Sequence, residues 1–545
     1  MGNDTNTLQI FCKNSKILQK FEFGTNLLAI YDRFKPILTH KPVCAIVNNE
    51  IAGLTDRVFK SSQVEFIDIT TEVGRKVYMH SLAFVLYKAV EDLFPGTQLI
   101  IEAPVSKGYF FMLHFPEGSP HTEVTLEMAQ RLRQRMRDII SEGHQFHRHE
   151  VPTAELVKLL RERGLEKKAL LIEQQGRLYC TYHQLADAID YYYGPLVPST
   201  DYLHLFDLVR YYDGLLLQVP REDGKLPEIV KQEKMLLTFR NAHKLENRVG
   251  METVGDLNKL CEQGFAGGAI KVAEALQEKK IANIADQIAA KPEVRVVLIA
   301  GPSSSGKTTF SKRLSVQLMA CGLMPRAISL DNYFVDRERT PRQENGDYDY
   351  EHIESLNLTL FNQQLNQLLQ GEEVELPRYD FPSGKSMPSG TTMQLKDNDI
   401  LILEGIHALN PLLSSGIPEA AKFRIYVSAF TSIKLDSHNY IPTTDSRLIR
   451  RIVRDHKYRG TTAQQTINRW PSVQRGEDRW IFPFQENADV MFNSALVYEI
   501  SVLRDYALPL LETVHEDQDE HVLASALIRF LGYFTPIPAK ELPPT

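Results

Sequence analysis

One strand-loop-helix sequence dominates this chain: Val294-Arg-Val-Val-Leu-Ile-Ala-Gly301-Pro-Ser-Ser-Ser-Gly306-Lys307-Thr308. The apolar run from Val296 to Ala300 predicts a buried parallel strand. The residues from Gly301 to Thr308 fit the spacing G-x-x-x-x-G-K-S/T at every fixed position, and a helix is predicted from about Lys307 to Ala320. A strand before this phosphate loop and a helix after it are the context that the motif requires. The chain is therefore predicted to bind a nucleoside triphosphate.

The phosphate loop gives a role to each of its polar groups. Its glycines let the backbone wrap around a phosphate with the N–H groups pointing inward, and the following helix adds the positive end of its dipole. Lys307 is predicted to reach the β- and γ-phosphates of ATP, and Thr308 to bind Mg²⁺ through its hydroxyl. The predicted ATP-binding residues are Gly301, Ser303, Ser304, Ser305, Gly306, Lys307, Thr308 and Thr309.

Length, composition and charge exclude several classes of protein. The chain has 545 residues, enough for about three or four domains, and an ordinary globular composition. Its formal net charge of −7 gives no electrostatic case for nucleic-acid binding by the whole molecule, although local basic patches stay open. The cysteines lie far apart without a CxxC pair, as in reduced cytosolic proteins. With no signal-peptide pattern and no run of about 18 apolar residues, a cytoplasmic protein without a membrane span is predicted.

The order of elements predicts several folding units. Short strands with one helix come first, then a mixed region, a helical stretch, and an alternation of strands and helices that implies a parallel sheet with helices on both faces. The predicted units are residues 1–67, 68–222, 223–290, 291–515 and 516–545, the last a helix and tail. Strands are expected at Leu8–Cys12, Val43–Val47, Leu99–Ala103, Tyr109–Phe115, Ala327–Leu330, Ile400–Leu403 and Phe423–Val427, and helices at Met79–Phe94 and Thr125–Ile140.

Two carboxylates stand at the ends of predicted strands of the last sheet. Asp331 follows Ala327-Ile-Ser-Leu, and Glu404 follows Ile400-Leu-Ile-Leu. Open α/β sheets bind ligands at this edge, so Asp331 is predicted to take the proton of an attacking hydroxyl or to help hold Mg²⁺. Glu404 resembles a Walker-B acid near Mg²⁺ or its water shell. The alternatives are a turn or helix-capping role for Asp331 and a merely solvated Glu404.

A basic segment lies further along the chain. Arg447, Arg450, Arg451 and Arg454 are spaced so that they share one broad helical face. Such a face suits a lid that closes over the charge of the triphosphate during transfer. The alternative is a solvated helix face with ordinary ion pairs.

Together these motifs resemble the uridine kinase family, which is related to phosphoribulokinase. The likeness runs from residue 294 to about 515. Besides the phosphate loop it rests on Ser329-Leu-Asp331-Asn-Tyr333, Asp347-Tyr-Asp349-Tyr-Glu-His352, Pro377-Arg-Tyr379-Asp380-Phe381, Leu403-Glu404-Gly405-Ile406, the segment from Asp445 to Asp455, and Ala488-Asp489-Val490. The resemblance implies Asp331 as the base on a nucleoside 5′-hydroxyl, Asp349 as a partner of a sugar hydroxyl and Tyr379 as a residue against the base. It also implies catalytic or substrate roles near the phosphates for Arg447, Arg450, Arg451 and Arg454.

The sequence departs from that family pattern in two places. The family often has a histidine shortly after Tyr-Asp-Phe that contacts a pyrimidine, but here Pro382-Ser-Gly384-Lys385 follows. Related kinases for other substrates carry a similar Gly-Lys, which leaves recognition of uracil open. The lid region also holds Trp470 and Trp480, which are either lid core residues or stacking surfaces.

The front half resembles parts of another family. Residues 8–67 resemble the TGS domain, a β-grasp module of threonyl-tRNA synthetase and some regulatory GTPases, and residues 70 to about 220 resemble the synthetase's editing-type second domain. Of the metal-capable residues in that family's His-x-x-x-His and Cys-x-x-x-His pairs, only His80 is retained, so editing hydrolysis is predicted to be lost. The cluster His144-Gln-Phe-His147-Arg-His149 is interpreted as an exposed turn rather than a metal site.

The sequence predicts a kinase that depends on ATP and Mg²⁺ and phosphorylates a small-molecule acceptor. A nucleoside is the favoured acceptor. One alternative is a kinase of the same fold for a sugar phosphate or a nucleotide. Another is a nucleotide-switched RNA- or tRNA-binding regulator, which the TGS-like half suggests and the acidic net charge disfavours. A GTPase is disfavoured because no guanine-recognition signature follows the phosphate loop. Assembly into a homo-oligomer is left open.

Overall fold

The computed structural model describes residues 7–343 and 346–543. Residues 1–6, on which the signal-peptide prediction rests, and the last two residues of the proline-rich tail lie outside this part of the chain. No helix among the described residues is long and apolar enough to cross a membrane.

The first domain is a β-grasp fold. Its sheet has the order β2-β1-β5-β3-β4, with β1 and β5 parallel and α1 packed on one face. Asn48 and Asn49 both have positive φ, 48° and 61°, and form the turn between β3 and β4. The elements are β1 (Thr7–Cys12), β2 (Ile17–Glu22), α1 (Leu27–Phe34), β3 (Cys44–Val47), β4 (Glu50–Ala52) and β5 (Ser62–Ile67).

The second domain is α+β, with a sheet of order β11-β12-β7-β6 and a smaller one of order β10-β9-β8. Helix α2 is buried along most of its length, because its apolar residues surround it on all sides. The elements are α2 (Glu72–Leu93), β6 (Gln98–Val105), β7 (Gly108–His114), α3 (Leu126–Glu142), β8 (Phe146–Pro152), α4 (Thr153–Glu162), α5 (Glu166–Glu173), β9 (Tyr179–Leu185), β10 (Ala188–Asp190), β11 (Asp207–Tyr211) and β12 (Gly214–Gln218).

Three helices then connect the front of the chain to its C-terminal half. They are α6 (Glu233–Arg248), α7 (Val254–Glu262) and α8 (Ala266–Ala289). Thr253 caps α7 in a reciprocal capping box with Asp256. Gly267 and Gly268 lie inside the first turn of α8.

The C-terminal half is built on a five-stranded parallel sheet of order β14-β17-β13-β18-β19. The predicted strand β13 and helix α9 have the expected bounds. The sequence did not predict the short strand β19 or the hairpin β15–β16. The elements are β13 (Val296–Ala300), α9 (Lys307–Ala320), β14 (Met324–Ser329), α10 (Leu358–Leu369), β15 (Val374–Asp380), β16 (Lys385–Met393), β17 (Asp399–Glu404), β18 (Lys422–Ser428), α11 (Thr443–Arg459), α12 (Ala463–Trp480), β19 (Val490–Asn493), α13 (Glu499–Leu511) and α14 (His521–Leu531).

The cores of the two halves are continuous. Phe110 and Leu216 of the second domain lie in one apolar cluster with Leu298 of the parallel sheet and with Phe430, which follows β18. The C-terminal segment also reaches back to the front of the chain. Lys13 Nζ lies 2.7 Å from Asp519 Oδ1, and Asn258 Nδ2 donates to the Tyr533 carbonyl at 2.8 Å. The Tyr533 hydroxyl is hydrogen-bonded to that of Tyr191.

Candidate active site

The phosphate loop lies at the carboxyl edge of the parallel sheet, directly after β13. A Cβ atom at Gly301 would stand 1.9 Å from the Val427 carbonyl oxygen on β18, so only glycine fits there. Gly306 has φ of +84° and begins α9, and Ser304 also has positive φ, 59°. No side chain caps α9 at Gly306. The helix therefore presents uncapped N–H groups to the loop, the arrangement that binds a phosphate.

Lys307 points back across the loop. Its Nζ donates to the Pro302 carbonyl at 3.1 Å. Desolvation lowers the pKa of Lys307, and the carboxylates of Glu404, Asp331 and Glu351 oppose that shift. The ammonium group thus lies among three acids, where it can exchange its carbonyl partner for a phosphate oxygen.

The residues predicted to bind Mg²⁺ come together on β17 and α9. Thr308 Oγ1 donates to Glu404 Oε1 at 3.0 Å. Glu404 is nearly buried at the end of β17, between β14 and β13, whereas Thr308 is exposed to the cleft. A hydroxyl and a carboxylate suit Mg²⁺, which takes few protein oxygens and completes its shell with phosphates and water. The donor set present therefore fits this ion.

Asp331 stands on the neighbouring strand end. It lies in the 3₁₀ turn Leu330–Tyr333 that follows β14, and solvent reaches it from the cleft. Desolvation by the cleft walls raises the pKa of Asp331, and Lys307, Arg459 and Arg454 act in the opposite direction. A carboxylate held this way, beside the phosphate-binding lysine, can accept a proton from an incoming hydroxyl.

Three of the four predicted lid arginines contact the phosphate loop. Arg447 Nε donates to the Ser303 carbonyl at 2.9 Å, and Arg451 Nη1 to the Ser303 hydroxyl at 2.9 Å. Arg450 Nη1 lies 3.4 Å from the Ser304 carbonyl. Arg454 instead pairs with Asp455 at 2.7 Å. The predicted common face of α11 thus meets the loop through its second and third turns.

Arg447 and Arg450 are held by carboxylates of other helices. Arg447 is buried and forms an ion pair with Glu477 of α12. Arg450 Nε donates to Glu499 Oε1 of α13 at 2.7 Å. These pairs hold the two arginines of α11 in place beside the loop.

The residues assigned to the acceptor lie beyond Asp331. Tyr379 is buried, with its ring centroid 5.4 Å from that of Phe334 and 5.1 Å from that of Phe381. Asp349 is half-buried, and its Oδ1 accepts from the Glu351 backbone N–H at 3.2 Å. Tyr379 thus packs against the segment that follows Asp331, and Asp349 lies two residues before Glu351 in the chain.

Two acids of the site escaped the sequence interpretation. Glu477 Oε1 accepts from the Ser303 backbone N–H at 3.0 Å. Glu351 has a buried Oε2 with no hydrogen-bond partner among the described residues. Desolvation raises the pKa of Glu351 to about 7, assisted by Glu477 and opposed by Arg451. Glu351 lies inside a motif that was quoted for Asp349, whereas the sequence around Glu477 carries no signal.

The two tryptophans have different surroundings. Trp470 is buried, with the Arg447 guanidinium 5.3 Å from its ring centroid. The Trp480 ring packs edge-on against His352 at 4.5 Å. Trp470 is thus a core residue between the lid helices α11 and α12.

The histidines of the front half form no second site. His80 is buried against the ring of Tyr192 at 5.5 Å, and desolvation lowers the pKa of His80 to about 3. His147 and His149 lie in strand β8 rather than in a turn. Within residues 7–343 and 346–543, no group of three or more acidic, histidine or cysteine side chains is arranged to hold a metal ion.

With this geometry in place, residues 296–501 match the model of the phosphoribulokinase / uridine kinase family. The match runs from β13 to the start of α13, and it supports a P-loop kinase fold for this part of the chain. The strand, loop and helix at its start are those that the phosphate-loop motif predicted.

The front half matches curated threonine–tRNA ligases. The ligase of Clostridium botulinum (strain Hall) is 29% identical over 195 residues, which is 35% of this chain and 30% of the ligase. The ligase of Clostridium tetani is 29% identical over the same length, 29% of that protein. The chain thus spans less than a third of these relatives. The likeness supports the TGS-like and editing-like folds of the first two domains.

Among solved structures, a possible uridine kinase from Bacillus stearothermophilus is 21% identical and aligns over 36% of this chain and 88% of its own, with a TM-score of 0.25. YFH7 from Saccharomyces cerevisiae is 11% identical over 39% of this chain and 98% of its own, with a TM-score of 0.28.

Proposed function

We propose that this chain uses ATP and Mg²⁺ to phosphorylate the 5′-hydroxyl of a nucleoside of the uridine or cytidine type. The observation that carries the proposal is the position of Asp331, exposed to the cleft within electrostatic reach of Lys307. A carboxylate at the acceptor side of a phosphate loop distinguishes a kinase from a simple nucleotide switch.

Each residue of the cleft has a separate role in phosphoryl transfer. ATP supplies the phosphoryl group, and Thr308 and Glu404 would hold a Mg²⁺ ion, which would offset the negative charge of the phosphates. The acceptor oxygen bonds to the γ-phosphorus as the bond to the β–γ bridging oxygen breaks, and Asp331 takes the hydroxyl proton. Lys307 and the loop N–H groups stabilise the charge on the transferred group, and ADP leaves.

The acceptor assignment follows from the groups beyond Asp331. A planar base suits the aromatic pair of Tyr379 and Phe381, in which the exposed ring of Phe381 rests on the buried ring of Tyr379. A sugar hydroxyl suits the carboxylate of Asp349. This combination of a ring and a polyol is what a nucleoside presents.

A second acceptor class is favoured by two cations. Arg454 and Arg459 both lower the pKa of Asp331, so positive charge lies close to the base. A sugar phosphate or nucleotide would carry an anion toward these arginines. This candidate keeps the same fold and the same base.

The test is ATP consumption by the purified chain against a panel of nucleosides, nucleotides and sugar phosphates, with the product mass determined. A gain of one phosphoryl group on uridine or cytidine supports the first proposal. The same gain only on phosphorylated acceptors supports the second. Salt-sensitive tRNA binding without turnover of any acceptor would contradict both.

A further inference from the structure

The segment of the kinase domain that precedes α11 is buried in the second domain. The backbone N–H of Ile101, on β6, donates to the Ser437 carbonyl at 2.9 Å. Asn439 Nδ2 donates to the Tyr191 carbonyl at 3.0 Å, and the Tyr193 hydroxyl donates to the Tyr440 carbonyl at 3.3 Å. We call residues 431–442 the docking segment. They connect β18 of the kinase sheet to α11, and they pack against the second domain on the way.

The docking segment is linked through intervening side chains to His80, the one metal-capable residue of the editing-type pattern that is retained. The ring of His438 packs against Tyr87 of α2 at 4.5 Å. Lys168, which lies 5.5 Å over the ring of Tyr192, reaches His438 Nδ1 at 3.1 Å. Tyr192 in turn stacks on His80. The docking segment thus packs into the interior of the second domain, against α2 and Lys168.

Buried charges fasten this junction. Lys168 forms an ion pair with Asp190 and lies 3.5 Å from Asp436. His438 Nδ1 lies 2.6 Å from Asp190 Oδ2. All four side chains are at most 3% exposed. Removing one member of such a network leaves an uncompensated buried charge, so the junction resists sliding.

The last link lies at the start of the lid helix. Lys76 of α2 reaches Asp445, in the first turn of α11, at 3.3 Å. On the same helix α2, Glu72 accepts a hydrogen bond at 3.3 Å from Gln474 of α12. Two residues after Asp445, Arg447 contacts the phosphate loop. One helix therefore connects the second domain to the site of phosphoryl transfer.

We infer that the second domain is a built-in part of the kinase site, and that Lys76 is a positioning residue which sets α11 and its arginines against the phosphate loop. This inference rests on the proposed kinase activity. In this role the editing-like domain needs neither a metal ion nor hydrolytic activity. The domain holds the start of the lid helix α11 in place.

The first test compares Lys76→Met with Lys76→Arg. Lys76→Met is expected to lower kcat about tenfold with little change in the KM of the acceptor, as for the loss of an orienting contact. Lys76→Arg keeps the charge and is expected to restore most of the rate. The matched control is Lys88→Met on the same helix, since the Lys88 side chain is less exposed than that of Lys76, 8% against 32%, but pairs with Asp92 and Asp187 of its own domain. It is expected to retain the wild-type kcat.

A second test does not require turnover. Trp470 lies against Arg447, so in a Trp480→Phe background its emission reports the contact between α11 and α12. Lys76→Met is expected to shift this emission to longer wavelength and to increase quenching by acrylamide, whereas Lys88→Met is not.

A wild-type kcat and an unchanged Trp470 emission in Lys76→Met would overturn the inference. So would an equal loss of kcat in Lys88→Met, because it would indicate general destabilisation. If the wild-type chain phosphorylates no acceptor, the proposed function fails, and the Trp470 measurement still decides the position of α11.

Discussion

Arg447 and Glu477 form an ion pair in which each side chain is only 1% exposed, and both partners hold the same residue of the phosphate loop. Arg447 contacts the Ser303 carbonyl and Glu477 the Ser303 N–H. The loop is therefore clamped from α11 and α12 together, and its shape depends on a buried charge pair.

Glu477→Ala is expected to lower the free energy of unfolding by about 3–5 kcal/mol, because Arg447 would remain buried without its carboxylate. Urea unfolding measures this loss. The control is Glu173→Ala, which breaks a half-exposed pair with Arg161 at 2.7 Å and should cost about 1 kcal/mol or less. Equal costs for the two variants would contradict the clamp.

Asp331→Asn is expected to lower kcat by about 10²–10⁴-fold and to leave ATP affinity nearly unchanged, because the amide cannot take the acceptor proton. Steady-state kinetics and ATP titration measure the two quantities. Asp397→Asn is the control, since Asp397 is exposed near the amino end of β17, at the opposite edge of the sheet. Wild-type turnover by Asp331→Asn would remove the assignment of the base.

Glu351→Gln is expected to change the pH dependence of stability. Folding raises the pKa of Glu351 from 4.5 to about 7, so its contribution to stability is full below pH 4.5 and is lost as the pH rises through about 7. Relative to wild type, the variant should therefore be more stable at pH 8 than at pH 5, by about 2 kcal/mol. Thermal melts at both pH values measure this difference, and parallel curves would contradict it.

Gly301→Ala is expected to abolish ATP binding, because its Cβ would stand 1.9 Å from the Val427 carbonyl and force the loop away from the sheet. Isothermal titration with ATP measures the loss. Gly268→Ala makes the same substitution in the first turn of α8, where a Cβ meets no atom within 4 Å. It should bind ATP normally and gain roughly 0.5–1 kcal/mol of stability. An unimpaired Gly301→Ala protein would show that the loop can shift.

The parts of the site that local sequence determines were predictable. Val296 to Ala300 is apolar throughout and is followed by a complete phosphate-loop motif, so strand, loop and helix could be placed together. The positions of Asp331 and Glu404 could be predicted for a similar reason, because a parallel sheet brings the carboxyl ends of its strands to one edge.

Other features depend on packing between distant segments. The hydrogen bond from Ser303 to Glu477 joins residues far apart in sequence, and no motif marks α12. The raised pKa of Glu351 needs the close approach of Gly476, where a Cβ would stand 2.2 Å from the Glu351 Cβ. The hairpin β15–β16 was missed because β16 is exposed on nearly every residue and shows no buried face.

The contacts of the C-terminal segment have a consequence for biosynthesis. Asp519 and Tyr533 touch residues of the first domain, the second domain and the connecting helices, which leave the ribosome long before them. Each early domain can fold as it emerges, but the surfaces that the C-terminal segment covers stay exposed until that segment is released. A truncated message or a premature stop would therefore yield domains with uncovered apolar seams, the kind of surface that chaperones and proteases recognise.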